Sequence, residues 1–268
     1  MSNESDHILS RLADIEAAEG VSILYACEAG SRAWGFASPD SDWDVRFIYL
    51  RPRDWYLSID LEKKRDVIER PVADNLDISG WDLRKALRLF GKSNPPLIEW
   101  LNSPSVYLDR AGLADHLRQL LPAYYSARSC FHHYLHMASG NYREYLRGER
   151  VRTKKYLYVL RPLLALRWLE TRQTTVPVRC EELREETLPA GPVKEALESL
   201  LAQKRQDREL DEGPRIPVLN DFIEAELARL RNLADELPKP AARIEPLNEL
   251  FREMLGEVRR GQEGMGVI

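Results

Sequence analysis

Cysteine is scarce and forms no motif. Cys27, Cys130 and Cys180 are far apart, odd in number and without a C-x-x-C pair. That excludes a disulfide framework and any strong zinc-binding pattern, and it predicts reduced thiols in the cytoplasm. No stretch approaches the ~20 apolar residues that a membrane-spanning helix needs, so no membrane association is expected. The opening segment "MSNESDHILSRLADIEAAEG" is polar and acidic at helical spacing, and is expected to be neither a signal nor a transit peptide. The phosphate loop G-x-x-x-x-G-K-[ST] is missing, and "FHHYLH" lacks the glutamate of the H-E-x-x-H metal motif. There is no internal repeat and no low-complexity tract.

What remains is an ordinary globular composition, 44% hydrophobic and 31% charged over 268 residues, enough for one large or two moderate domains. The net charge of −4 conceals an asymmetry. Residues 141–172 carry nine Arg/Lys against three Glu, whereas residues 181–268 carry 13 Arg/Lys against 20 Asp/Glu. A basic band in a mildly acidic chain suits phosphates or a polynucleotide, although charge alone is equally the mark of a solvated helix face.

Ile8, Leu12 and Ile15 predict a helix over residues 5–19. "VSILYACEA" and "DVRFIYL" read as strands separated by a Gly30-Ser31 turn, and "RDVIERP" and "DNLDIS" as shorter ones. "SGWDLRKALRLFGKSNPP" reads as a helix with Ser79 as N-cap and Asp82 three residues on. "SPSVYLDRAG" supplies a last strand near a boundary at 104–112. Beyond it the periodicity is helical, with further helices at 190–205, 218–235 and 244–260. The segment 206–217 is the most loop-like and 259–268 a frayed tail.

The polar residues of "YACEAGSRAWGFASPDSDWDVRFIYL" carry the chemistry. Side chains alternate along a strand, so Asp42, Asp44 and Arg46 share one face while Trp43, Val45 and Phe47 share the other. Carboxylates at the mouth of a buried strand are costly unless neutralised. Asp77, between Leu76 and Ile78, is a third; if its strand pairs with the first, three oxygen ligands converge and suit Mg²⁺ or Mn²⁺. Asp82 competes for that place but has a capping position. Gly30 permits close backbone approach to an anion, and Ser31 adds a hydroxyl at the start of a short helix.

In that order, "GSRAWGFASPDSDWDVRF" resembles the DNA-polymerase-beta superfamily of nucleotidyltransferases. With "LDISGWDLRKALRLFGKSNPPLIEWLNSP" and "TKKYLYVLRPLLALRWLE", it is similar to the RlaP-type branch associated with RNA repair, over roughly the first 175 residues. The resemblance implies an α+β fold: a small mixed-sheet, palm-like nucleotidyltransferase domain (1–108), a helical nucleotide- and substrate-binding domain (109–205) and a helical extension (206–268). It implies transfer of NMP from an NTP, ATP first among them, to a hydroxyl with release of pyrophosphate, using two Mg²⁺ or Mn²⁺ ions. Asp42 and Asp44 would bind both metals and Asp77 the metal activating the acceptor, with Gly30 and Ser31, flanked by Arg32 and Arg46, on the phosphates.

Farther along, Lys154, Tyr158, Arg161, Ala165 and Trp168 fall on one face of a helix containing Pro162. Lys154, Lys155 and Arg161 are candidates to reach the triphosphate. Arg143, Arg147 and Arg150, interleaved with Tyr142 and Tyr145, suit stacking and backbone contact with single-stranded nucleic acid. Arg128 and His133 form R-x-x-x-x-H, a spacing of some helical ribonucleases that arises easily in an Arg- and His-rich helix. The expected acceptor is an RNA end, tRNA-like. The alternatives are a protein acceptor, as in AMPylating minimal nucleotidyltransferases, and a non-catalytic nucleotide- or RNA-binding module.

Overall fold

Ile8, Leu12 and Ile15 are buried along one face of the first helix, α1 (Asn3–Glu19), where their spacing puts them. The structure is a computed structural model and describes residues 3–206, 212–231, 233, 237 and 243–265. Beneath α1 lies a five-stranded sheet of β1 (Ser22–Glu28), β2 (Trp43–Leu50), β3 (Val67–Glu69), β4 (Leu76–Asp82) and β5 (Val106–Asp109), in the order β3-β4-β2-β1-β5. The pair β2–β4 is parallel and the other pairs are antiparallel. In the parallel register Asp44 stands opposite Asp77.

Alternation along β2 sorts its residues as expected. Val45, Phe47 and Tyr49 join Ile78 and the apolar face of α1 in one core. Asp44, Arg46, Ile48 and Leu50 face the other way; Ile48 and Leu50 enter the main core, so only the start of that face is polar. Phe47 presses on β4 so closely that a Cβ at Gly80 would lie 2.2 Å from its ring.

The helices of the first half are α2 (Gly30–Trp34), α3 (Arg53–Tyr56), α4 (Leu83–Phe90) and α5 (Pro95–Leu101). The α4 cap departs from expectation. Ser79 and Gly80 belong to β4, and the N-cap is Asp82, which accepts from the Arg84 amide at 2.8 Å and from Tyr56 Oη at 2.6 Å. The pairing of β4 with β2 continues as far as Asp82 and holds Ser79 extended.

The second half contributes α6 (Leu113–Tyr124), α7 (Ala127–Tyr145), α8 (Lys155–Arg172), α9 (Cys180–Thr187), α10 (Pro192–Arg205), α11 (Pro217–Leu230) and α12 (Glu245–Met265). A continuous apolar cluster joins Ile48 and Leu50 of the sheet to Phe90, Leu117, Phe131, Leu163, Ile223 and Leu250 of the helices. At its centre α8 is buried on nearly every side, so Ala165 belongs to the core and Trp168 bonds Thr174 Oγ1 at 3.2 Å. Two strands interrupt the helical half: β6 (Arg150–Arg152) pairs with β7 (Glu212–Pro214), inside the stretch expected to be loop. Residues 207–211 of that stretch lie outside the described residues, as do 232, 234 and 235 of the expected helix 218–235. The expected frayed tail is helical as far as Met265, and residues 266–268 lie outside the description. Among the described residues no helix is long and apolar enough to cross a membrane.

Candidate active site

The turn after β1 is built around Asp44. Gly30 has φ +56°, and a Cβ there would lie 1.9 Å from Asp44 Oδ2, so conformation and space both require glycine. The Ala29 amide donates to the Asp44 carbonyl at 2.8 Å. Ser31, the next residue, is buried in α2.

Asp44 and Asp77, opposite each other on β2 and β4, share one guanidinium. Arg46 Nη2 donates to Asp44 Oδ1 at 3.0 Å and to Asp77 Oδ2 at 2.7 Å. Its Nη1 holds the Asp77 carbonyl at 2.9 Å and the Val45 carbonyl at 3.1 Å. Arg46 thus bridges the carboxylates and does not reach out toward solvent. Burial raises the Asp44 pKa; Arg46 opposes the shift, and the nearby Asp77 and Asp42 reinforce it.

Behind them is a residue that the sequence reading missed. Glu28 closes β1, is buried, and accepts from the Asp44 amide at 2.9 Å and from Tyr107 Oη. Burial dominates in raising its pKa. The available signal was a glutamate ending an otherwise apolar strand run, "SILYACE".

These groups form one wall of a cleft of about 250 Å³, with Glu28, Gly30, Asp44 and Arg46 on the sheet side. The opposite wall carries Trp34, Glu99, Tyr158 and Arg161. Arg161 lines the cleft, but its charge is already engaged. It pairs with Glu99 Oε1 at 2.9 Å, donates to the Val178 carbonyl at 3.2 Å and lies over the Trp34 ring at 4.4 Å. Glu99 also accepts from Trp34 Nε1 at 3.0 Å and Tyr134 Oη at 2.8 Å. Tyr158 faces the acidic wall: burial, then Asp44 and Asp42, push its phenol pKa upward.

The remaining candidates lie around this centre. Asp42 precedes β2 with an exposed side chain, and its carbonyl accepts from Arg32 Nε at 3.2 Å. Arg32 also holds the Ser41 carbonyl at 2.6 Å and stacks 3.8 Å over Trp43, so it fastens the loop before Asp42. Lys155 leans on the Tyr158 ring at 5.1 Å, at the rim of the cleft. Lys154 is exposed at the N-cap of α8 and does not line the cleft.

Of the three expected carboxylates, Asp44 and Asp77 face each other across paired strands. Among the described residues no group of three His, Cys, Asp or Glu side chains is arranged to hold a metal ion. Asp42 is outside the paired strands, so the register that joins Asp44 to Asp77 does not act on it. The donor set still fits Mg²⁺ or Mn²⁺: Asp44 and Asp77 present hard oxygens within reach of one cationic nitrogen, Arg46 Nη2.

The chain is similar to known proteins along nearly its whole length. "Uncharacterized protein YcgL" of Bacillus subtilis (strain 168) is 47% identical over 251 residues, 94% of this chain and 95% of that protein. A crystal structure of a nucleotidyltransferase-like protein from Exiguobacterium sibiricum 255-15 aligns over 95% of this chain and 80% of its own, at 13% identity and a TM-score of 0.33, too low to bear on the fold. The family model for the RNA repair pathway DNA polymerase beta family, RlaP, matches residues 5–253, nearly the whole chain, and the protein belongs to that family.

Proposed function

We propose that the protein is a divalent-metal-dependent nucleotidyltransferase that moves NMP from an NTP, ATP first among the candidates, to a hydroxyl at an RNA end. The observation that carries this reading is the Asp44–Arg46–Asp77 group beside the Gly30 turn, with Gly30, Asp44 and Arg46 lining the cleft. Family membership supports the polymerase-beta-like chemistry and the RNA setting, a tRNA-like end in the cytoplasm being the acceptor we favour.

In the proposed reaction the acceptor oxygen bonds to the α-phosphorus while the bond from that phosphorus to the bridging oxygen of the β-phosphate breaks. Pyrophosphate leaves and the hydroxyl proton passes to solvent. Asp44 and Asp77, with Asp42 at the edge, would hold two Mg²⁺ or Mn²⁺ ions. Bound there, the ions would supply Lewis-acid stabilisation of the incoming and leaving oxygens. Gly30, on the cleft wall, and the buried Ser31 beside it would approach the β- and γ-phosphates, and Glu28 accepts from the Asp44 amide behind them. The wall formed by Trp34 and Tyr158 offers the nucleoside an apolar surface. Arg161, neutralised by Glu99, supports that wall.

The test is incubation with each α-³²P-labelled NTP, Mg²⁺, total RNA and cell lysate. Label on RNA, lost with Asp44→Asn, is the expected result. Label on a protein would replace the RNA acceptor by an AMPylation target, and absence of both label and pyrophosphate would end the enzyme reading.

A further inference from the structure

Outside the cleft, a run of six cations lies between residues 143 and 155, at and just before the start of α8. Several surface arginines elsewhere are matched to carboxylates: Arg84 to Glu62, Arg172 to Glu186, Arg229 to Glu170 and Glu226. Among the described residues, Arg143, Arg147, Arg150, Arg152, Lys154 and Lys155 form no ion pair with any carboxylate within 4.0 Å, although Glu144 and Glu149 lie in the same stretch. Six unmatched cations in a chain of net charge −4 are a local positive field awaiting an anion.

The field is interleaved with rings. Arg152 lies 5.7 Å from the Tyr145 ring, Lys155 4.2 Å from the same ring, and Lys155 again 5.1 Å from the Tyr158 ring. Tyr158 lines the cleft and its phenol senses Asp44 and Asp42. The result is an unbroken ladder, Tyr158–Lys155–Tyr145–Arg152, from the candidate catalytic carboxylates to the outer surface. Arg147, Arg150 and Lys154 flank it as exposed side chains. The β6–β7 pairing and the Arg150 bond to the Glu212 carbonyl at 3.1 Å hold its outer end in place. Burial and the neighbouring Lys154 lower the Lys155 pKa, with Glu144 opposing and Arg152 reinforcing the shift.

We infer that the Tyr158–Lys155–Tyr145–Arg152 ladder, with Arg147 and Arg150, is the docking track for a single-stranded RNA whose last nucleotide enters the cleft. The inference rests on the RNA-end reading above and deepens it by assigning a place to the acceptor strand. Rings provide π-faces for successive bases irrespective of sequence, and the cations released from those rings turn to the phosphates. A duplex, whose bases are already stacked on one another, cannot use the rings. A protein acceptor would have no need of alternating rings and unpaired cations.

The test measures binding without chemistry: fluorescence anisotropy of a labelled single-stranded oligoribonucleotide in EDTA, without NTP, over a salt series. Arg147→Glu with Arg152→Glu, both exposed, should weaken binding by at least about tenfold. It should also reduce the slope of log K against log salt by about 1.4, at ~0.7 per lost phosphate contact. Tyr145→Leu should weaken binding roughly 5- to 100-fold with the slope unchanged, because it removes stacking and no charge. Melting curves verify that each variant is folded; should Tyr145→Leu fail to fold, the exposed charge reversals decide. Binding unaffected by the charge reversals, or a duplex bound as tightly as the single strand, would overturn the track. RNA bound on the track but never labelled would leave it standing and remove the transferase reading; RNA labelled equally well by both variants would do the reverse.

Discussion

The two walls of the cleft each set an arginine against carboxylate, but they differ in completeness. On the helical wall, Glu99 accepts from Arg161, Trp34 and Tyr134, and the Arg161 side chain is only 3% exposed. On the sheet wall, Arg46 serves Asp44 and Asp77, whose side chains remain 25% and 36% exposed, and the nearby Asp42 carboxylate adds further negative charge. The first cluster is nearly dry and closely bonded, with only the buried Arg161 Nε lacking a hydrogen-bond partner among its described contacts, and it serves as a structural element. The second has more negative charge than cation, with an open side from which more cation can arrive. Burial and the number of donors, not residue type, separate scaffold from chemistry.

Breaking the dry cluster should have the largest effect. Glu99→Ala leaves the Arg161 charge buried without its partner and should cost about 3–5 kcal/mol of stability, read by urea unfolding. Replacing both, Glu99→Leu with Arg161→Met, should restore most of the loss, and failure to do so would show that Trp34 and Tyr134 need the carboxylate as acceptor. On the sheet wall Asp44→Asn should act oppositely. Transfer should fall by at least ~100-fold, while the melting temperature stays level or rises, because the fold already disfavours the ionised form of Asp44. Equal loss of stability in the two clusters would erase the distinction between them.

A smaller effect tests whether Arg46 occupies the place of a metal. Arg46→Met should bind Mn²⁺ about tenfold more tightly without nucleotide, followed by electron paramagnetic resonance, since a competing positive charge is removed. Weaker binding would mean instead that Arg46 is required to hold the two carboxylates in place. The smallest effect concerns pH. Asp44 and Glu28 both have raised pKa values, mainly from burial. Their protonated forms favour the fold below the ordinary carboxylate range, and that contribution fades as pH rises through the raised values. Metal requires the ionised forms, so the increase in melting temperature on adding Mg²⁺ should be absent near about pH 4 and grow toward about pH 8. A constant increase across that range would separate the metal site from Asp44.

Much of the sheet wall was legible in the chain. Period-two alternation placed Asp44 and Arg46 opposite Val45 and Phe47, and an aspartate between Leu76 and Ile78 marked the partner strand. Asp42 was grouped with them by the same alternation, but β2 begins at Trp43 and the rule ends with the strand. Ser79 satisfied a capping pattern, yet seven register pairs between β2 and β4 outweighed one local hydrogen bond and moved the cap to Asp82. Arg161 stood on a basic helix face and suggested a phosphate ligand; its partner Glu99 is 62 residues away, on another helix.

The sequence by itself determined which residue types can share a strand face and that carboxylates gather at the start of one, because these follow from covalent periodicity and composition. Only the tertiary structure decided which charges are neutralised. It gave Arg46 to Asp44 and Asp77, Glu99 to Arg161, and left the cations around Lys155 without carboxylates. Charge compensation acts over a few ångströms of space, and no spacing along the chain encodes which distant segments folding brings that close.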